Sequence, residues 1–343
     1  MCSVAESGIV NNRLSQPFGG ANALSPVSGK SSHAAIDTEA LSYAAGKNRD
    51  PRDPQWPMAR KAPVVAPPVV YTNWAQGFGS WIDRDADGNA AASTSTTGGV
   101  LSGIDATING TWRIGLAAGY SQTEVRVGDR GSSLETDSYH ISGYAGARQG
   151  DFGANFGAVY SWNDISSTRN VAFPGFAETL KAGYDAGSAQ VFGELNYRFL
   201  AGPAAFESFA GLNYINHHTN RFGETGGNAA LAFAAQDRDV TFSTLGLRSS
   251  AFLGESDGNT FIARGTVGWR HAFGDVGTDL SAAFAGGLPF TVTGTPIAVD
   301  ALLAEAGVDM NIRKDVTLGL SWSGQFGDGA TENRLRGQLV YRW

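Results

Sequence analysis

Three groupings in this sequence have residue types and spacing that could do chemistry. In DRDADGN, residues 83–89, Asp83, Asp85, Asp87 and Gly88 stand at the spacing of a calcium-binding loop. Thr94 occupies the place of the bidentate glutamate, and no helical pattern flanks the segment, so it reads as an exposed acidic loop without a specific metal. His217 and His218 are adjacent within an alternating segment, which sends their side chains to opposite faces and denies them a shared metal; they read as rim residues. The third grouping is dispersed: Asp105, Arg113, Arg148, Glu194, Arg198, Glu207, Arg264, Arg270, Glu305, Asp309, Arg334 and Arg336. These twelve lie on the polar parity of alternating segments. Mixed charges there suit the wall of a water-filled passage, paired across neighbouring strands and offering a traversing chain polar partners without one strong site. No G-x-S-x-G, H-E-x-x-H or Walker-type motif occurs, and no Ser/His/acid set assembles, so neither a catalytic residue nor a cofactor is expected.

The elements that position these residues are strands. Alternating segments run near 72–83, 97–109, 111–127, 135–149, 151–165, 185–199, 206–219, 240–253, 259–273, 301–313, 315–327 and 331–343. In the last, Leu335, Gly337, Leu339, Tyr341 and Trp343 share one parity and Arg334, Arg336, Gln338 and Arg342 the other, with Val340 out of pattern. A slip in parity is read between Phe242 and Leu245. Each segment reaches the roughly 9–11 residues of a tilted membrane strand, whereas strands of soluble proteins average about 5–6. Connections alternate: short at Gly110, Gly150, 201–203, 254–258 and Lys314, and mostly long elsewhere, at 84–96, 166–184, 220–239 and 274–300. Trp112, Tyr197, Phe199, Trp269, Phe273, Tyr341 and Trp343 stand near strand ends, where interfacial girdles belong. The pattern predicts an all-β fold, a twelve-stranded antiparallel transmembrane β-barrel with a lipid-facing apolar side and a polar lumen. The even strand number places both ends at the short-turn, periplasmic rim.

Residues 71–343 form this barrel; the rest of the chain differs. Residues 1–19 contain a short helical pattern ending before Pro17, with Val4, Ile9, Val10 and Leu14 on its apolar stripe, and 20–70 read as a Pro/Ser/Ala-rich linker. Composition sets limits on function. The net charge of −7 carries no basic stripe for nucleic acid, and the single Cys2 forms no internal disulfide. No apolar run is long enough for a spanning helix. The start lacks a secretory signal, which reads as a truncated precursor.

WAQGFGSW (74–81), WRIGLAAGYS (112–121), YDAGSAQVFGELNYRF (184–199), DVTFSTLGLRSS (239–250), GTVGWRHAFGD (265–275), LAEAGVDMNI (303–312) and LGLSWSGQFGDGA (318–330) keep order and spacing across most of the chain. With them the sequence resembles the C-terminal translocator domain of autotransporters, the type V secretion systems of Gram-negative bacteria. The resemblance implies a monomeric barrel in the outer membrane, surrounded by its lipid and traversed by a helix from its own N-terminal side. It also implies an N-terminal passenger carried to the cell surface. The last strand resembles the signal read by the barrel-assembly machinery, carried here by Leu339, Tyr341 and Trp343. Some autotransporters cleave between two asparagines inside the barrel with help from a lumen carboxylate. Asn11-Asn12 fits that type, with Glu194, Glu207 or Asp309 to assist, but the linker to the first strand is longer than that arrangement expects, and ordinary polar helix residues are the preferred account of the pair. The alternative functions are a diffusion porin and a surface adhesin barrel without a secretion role.

Overall fold

The structure, a computed structural model, describes Arg13, residues 69–312 and residues 314–343. Sixteen strands follow in order: β1 (Val69–Arg84), β2 (Ser93–Ile108), β3 (Trp112–Val127), β4 (Ser132–Gln149), β5 (Phe152–Phe173), β6 (Phe176–Ala201), β7 (Ala204–Thr219), β8 (Phe222–Gly223), β9 (Leu231–Phe233), β10 (Gln236–Ser256), β11 (Asn259–Gly274), β12 (Thr278–Phe284), β13 (Phe290–Gly294), β14 (Asp300–Asn311), β15 (Val316–Gly327) and β16 (Ala330–Arg342). Twelve of them close into an antiparallel barrel in the order β1-β16-β15-β14-β11-β10-β7-β6-β5-β4-β3-β2. The expected helix at 1–19 and linker at 20–70 lie outside the described residues, apart from Arg13, whose backbone is helical, and the two residues that begin β1.

Period-two patterning explains the wall. On β6, Val191, Leu195, Tyr197 and Phe199 point outward, while Gln190, Phe192, Glu194 and Asn196 are buried inside. Outward leucines such as Leu116 and Leu195 are about two-thirds exposed, an arrangement that only lipid makes favourable. All seven girdle aromatics face outward. The barrel closes where β1 pairs β16, from Thr72 opposite Arg342 to Arg84 opposite Ala330. Tyr71 N donates to Trp343 O at 3.0 Å and Trp343 N donates to Tyr71 O at 2.9 Å, with the two rings stacked 5.0 Å apart. No barrel strand is left with an unpaired edge, as a hydrocarbon environment demands.

Glycine packs the inner wall. Gly99, Gly103, Gly115, Gly157 and Gly246 lie directly opposite Phe78, Trp74, Tyr144, Phe192 and Phe209 on neighbouring strands. A Cβ on any of these glycines would come within 2.3–2.8 Å of that partner's ring. The missing side chain is the seat on which each ring lies flat against the wall. Val340 joins Trp74, Phe78 and Tyr144 in the resulting apolar cluster, which accounts for its odd parity.

Three expectations require correction. Between Phe242 and Leu245 the alternation is unbroken: Phe242 faces in and Leu245 out, and the irregularity in register lies at Phe252/Gly254. Residues 166–184 are mostly a continuation of the β5–β6 hairpin, paired out to Phe173 opposite Phe176. The stretches 220–239 and 274–300 contribute β8, β9, β12 and β13, a separate four-stranded sheet. Backbone pairing continues beyond the apolar band because main-chain hydrogen bonds do not depend on the side chains being greasy. The other rim is tight: Asp257 and Gly258 turn the chain in two residues with φ of 52° and 76°, the left-handed pair of a hairpin turn.

Candidate functional site in the lumen

The lumen holds two charge clusters. The first lies near the Ile108 end of β2, towards the short-turn rim. Asp105, on β2, has a fully enclosed side chain. Arg13 grips it as a fork: Nε donates to Oδ2 at 2.7 Å and Nη2 to Oδ1 at 2.9 Å, the bidentate geometry that gives guanidinium pairs their strength. Arg113, at the start of β3, places Nε 3.6 Å from Asp105 Oδ1 and donates from Nη1 to the backbone carbonyl of Arg13 at 2.9 Å. Tyr144 on β4 donates its hydroxyl to Asp105 Oδ2 at 3.1 Å, and Trp74 Nε1 donates to Tyr144 Oη at 2.7 Å. Groups from β3 and β4, with Trp74 of β1 behind Tyr144, thus converge on one carboxylate of β2, which holds a residue from N-terminal to the barrel at 1% exposure.

The second cluster runs along β4, β6, β7, β10, β11 and β14–β16. Arg248 binds both oxygens of Glu194, at 2.6 and 2.7 Å, and Glu207 Oε1 at 3.1 Å. Glu207 also receives Arg148 at 2.7 Å and lies 3.6 Å from Arg198. Across the lumen Arg336 pairs Glu305 at 2.6 Å, Arg264 pairs Asp309, and Arg334 pairs Glu332. Arg270 donates to the amide oxygen of Gln325 at 2.8 Å and lies over the Phe242 ring at 5.4 Å.

Asp105 and Arg113 therefore meet in the first cluster, and the other ten charged residues singled out in the sequence are distributed along the second. Arg13, Trp74, Tyr144, Arg248, Gln325 and Glu332 were missed. Arg248 shares the inward parity of Phe242, and the misread slip in β10 concealed it. Asn11 and Asn12 lie outside the described residues. The carboxylates considered as their helpers are engaged elsewhere, whereas Asp105 contacts the residue that follows Asn12.

The remaining motifs resolve locally. Asp87 Oδ1 accepts from the backbone N–H of Asn89 at 2.9 Å and of Ala90 at 2.7 Å, a turn that holds its carboxyl below the usual range. His217 meets Ser188 at 2.7 Å, while His218 pairs Asp237 at 2.7 Å. Among the described residues no group of three or more His, Cys, Asp or Glu side chains is arranged to hold a metal ion. Leu339, Tyr341 and Trp343 are exposed on the outer face of the seam.

A family model described as the autotransporter β-domain matches residues 73–323. An extracellular serine protease of Serratia marcescens is 31% identical over 271 residues, covering 79% of this chain and 26% of the relative. The chain thus spans about a quarter of that relative's length. Among solved structures, the translocator domain of NalP from Neisseria meningitidis superposes with a TM-score of 0.65 at 13% identity, over 100% of this chain and 98% of that one. The β-domain of the Bordetella autotransporter BrkA gives 0.61 at 18% identity, over 79% and 98%.

Proposed function

Because the chain belongs to the autotransporter β-domain family and is an outer-membrane translocator barrel, we propose that its lumen is the route by which an N-terminal passenger reaches the cell surface. The observation that carries this reading is Arg13 inside the barrel, held by Asp105 and Arg113. A residue that precedes the first strand lies in the lumen, as it does when a threaded chain has come to rest. Residues 1–19 then serve as the lumen segment, 20–70 as the linker and 71–343 as the barrel. The mixed charges of the second cluster keep the lumen wall polar beside a moving chain.

Both barrel ends face the periplasm in this reading, supported by the strand number and the short turns beside Asp105. The exposed Leu339, Tyr341 and Trp343 support recognition by the barrel-assembly machinery, and the outward aromatics support direct contact with outer-membrane lipid. Protein transport, not catalysis, is the activity assigned to the barrel; the protease activity in the relative's name is that relative's own.

The test is a fusion of a signal peptide and a tagged passenger to this chain in a Gram-negative host. Protease added to intact cells is expected to remove the tag while the barrel stays folded in the outer membrane. A folded barrel with a tag that remains protected in the periplasm overturns the proposal. The porin reading is separated by planar-bilayer recording: removal of residues 1–68 raises conductance if they occupy the lumen and leaves it unchanged if they do not.

A further inference from the structure

We propose that the lumen carries an anion-binding site centred on Arg270, in the half of the barrel towards the long loops. A cavity of about 190 Å³ lies against β6, β7, β10, β11 and β14–β16, and seven charged residues line it: Arg248, Arg270, Arg334, Arg336, Glu194, Glu305 and Glu332. Each carboxylate already has its guanidinium. Glu194 binds Arg248 at 2.6 Å, Glu305 binds Arg336 at 2.6 Å, and Glu332 binds Arg334. The fourth guanidinium makes no ion pair among the described residues, and the acid whose charge it feels, Glu332, is already paired with Arg334. Arg270 rests on a neutral amide oxygen and an aromatic face, and its Nε–H is buried and meets no acceptor among them.

Among the described residues, one positive charge in excess of the acids therefore faces a cavity whose walls exclude water on the lipid side. Such walls focus the field of an internal charge and raise the local concentration of counter-ions, and arginines lining a pore select for anions. The planar fork of Arg270 matches an oxyanion or a carboxylate better than a spherical ion. The ligand class is thus a carboxylate or phosphate-like group, supplied either by an acidic side chain of a chain in transit or by a free anion. Gln325 offers Arg270 a neutral oxygen, and a carboxylate in its place would satisfy Arg270 from within.

The experiment uses the full chain in a planar bilayer under a potassium chloride gradient, with folding of each variant checked by heat-modifiable mobility. The wild type is expected to show a reversal potential on the chloride side and a current reduced by inorganic phosphate at constant ionic strength. Arg270→Gln and Gln325→Glu are each expected to move the reversal potential towards zero and to abolish the phosphate effect. An acidic peptide that reduces the wild-type current where phosphate does not identifies a transiting carboxylate as the ligand. A wild type without measurable current, or variants that keep its reversal potential and its response to both probes, overturns the proposal. None of these outcomes bears on export, which the tagged passenger reports separately.

Discussion

The two charge clusters of the lumen use the same residue types in opposite ways. Around Asp105 two arginines converge on one carboxylate, water is shut out, and one of the arginines comes from outside the barrel wall. Around Arg270 the acids are each taken by a neighbouring arginine, a cavity adjoins them, and among the described residues one cation is left over. The first arrangement is suited to holding and the second to solvating. Access to a cavity makes the difference: Arg13 and Asp105 are enclosed, whereas Arg248, Arg336 and Glu305 line an open space, and a closely fitted ion pair is costly to disrupt only where water cannot replace the lost partner.

This contrast can be broken by substitution. Asp105→Ala leaves Arg13 and Arg113 enclosed without their anion and is expected to cost about 3–5 kcal/mol, read as a lower midpoint for loss of the heat-resistant folded form. Gly115→Val drives a branched side chain into the Tyr144 ring, 2.4 Å from the position of its Cβ, and is expected to cost about 1–3 kcal/mol by overpacking. Gly337→Val, where nothing lies within 4 Å of the added Cβ, is the control and should leave the midpoint unchanged. Glu207→Gln, in the second cluster, keeps an acceptor of the same shape and should cost about 1 kcal/mol, since Arg248 keeps Glu194 and Arg148 keeps Asn196. Equal losses at Asp105 and Glu207 would erase the distinction between the clusters. Trp74→Phe removes one hydrogen bond to Tyr144 and sharpens the picture on the held side, with a loss of about 0.5–1.5 kcal/mol.

The smallest effect belongs outside the membrane. The carboxyl of Asp87 is held low by the N–H groups of Ala90 and Asn89, so its contribution to the 85–92 loop is present above the ordinary aspartate pKa and is lost as pH falls through the lowered value. Amide protection in that loop, taken relative to the intrinsic exchange rate at each pH, should fall on acidification in the wild type, and Asp87→Asn should lessen the dependence.

Much of the barrel was legible because lipid and lumen impose opposite demands on alternate residues, and that requirement marks twelve segments. What escaped was placement that residue type alone does not encode. Phe242 and Val340 are apolar yet face inward, because Arg270 lies over one ring and the Trp74–Phe78 cluster receives the other side chain. The pair Phe173 and Phe176 belongs to a hairpin that outruns the apolar band, so a lapse in alternation was mistaken for a loop. Arg13 carries no local signature. Its meaning comes from Asp105, 92 positions away in sequence.

The join between Tyr71 and Trp343 has a consequence for timing. It links the two extremes of the barrel, so a ribosome must release nearly all of this polypeptide before any enclosed corridor exists. Whatever precedes Tyr71 has by then been made, ahead of the final hairpin that locks the ring.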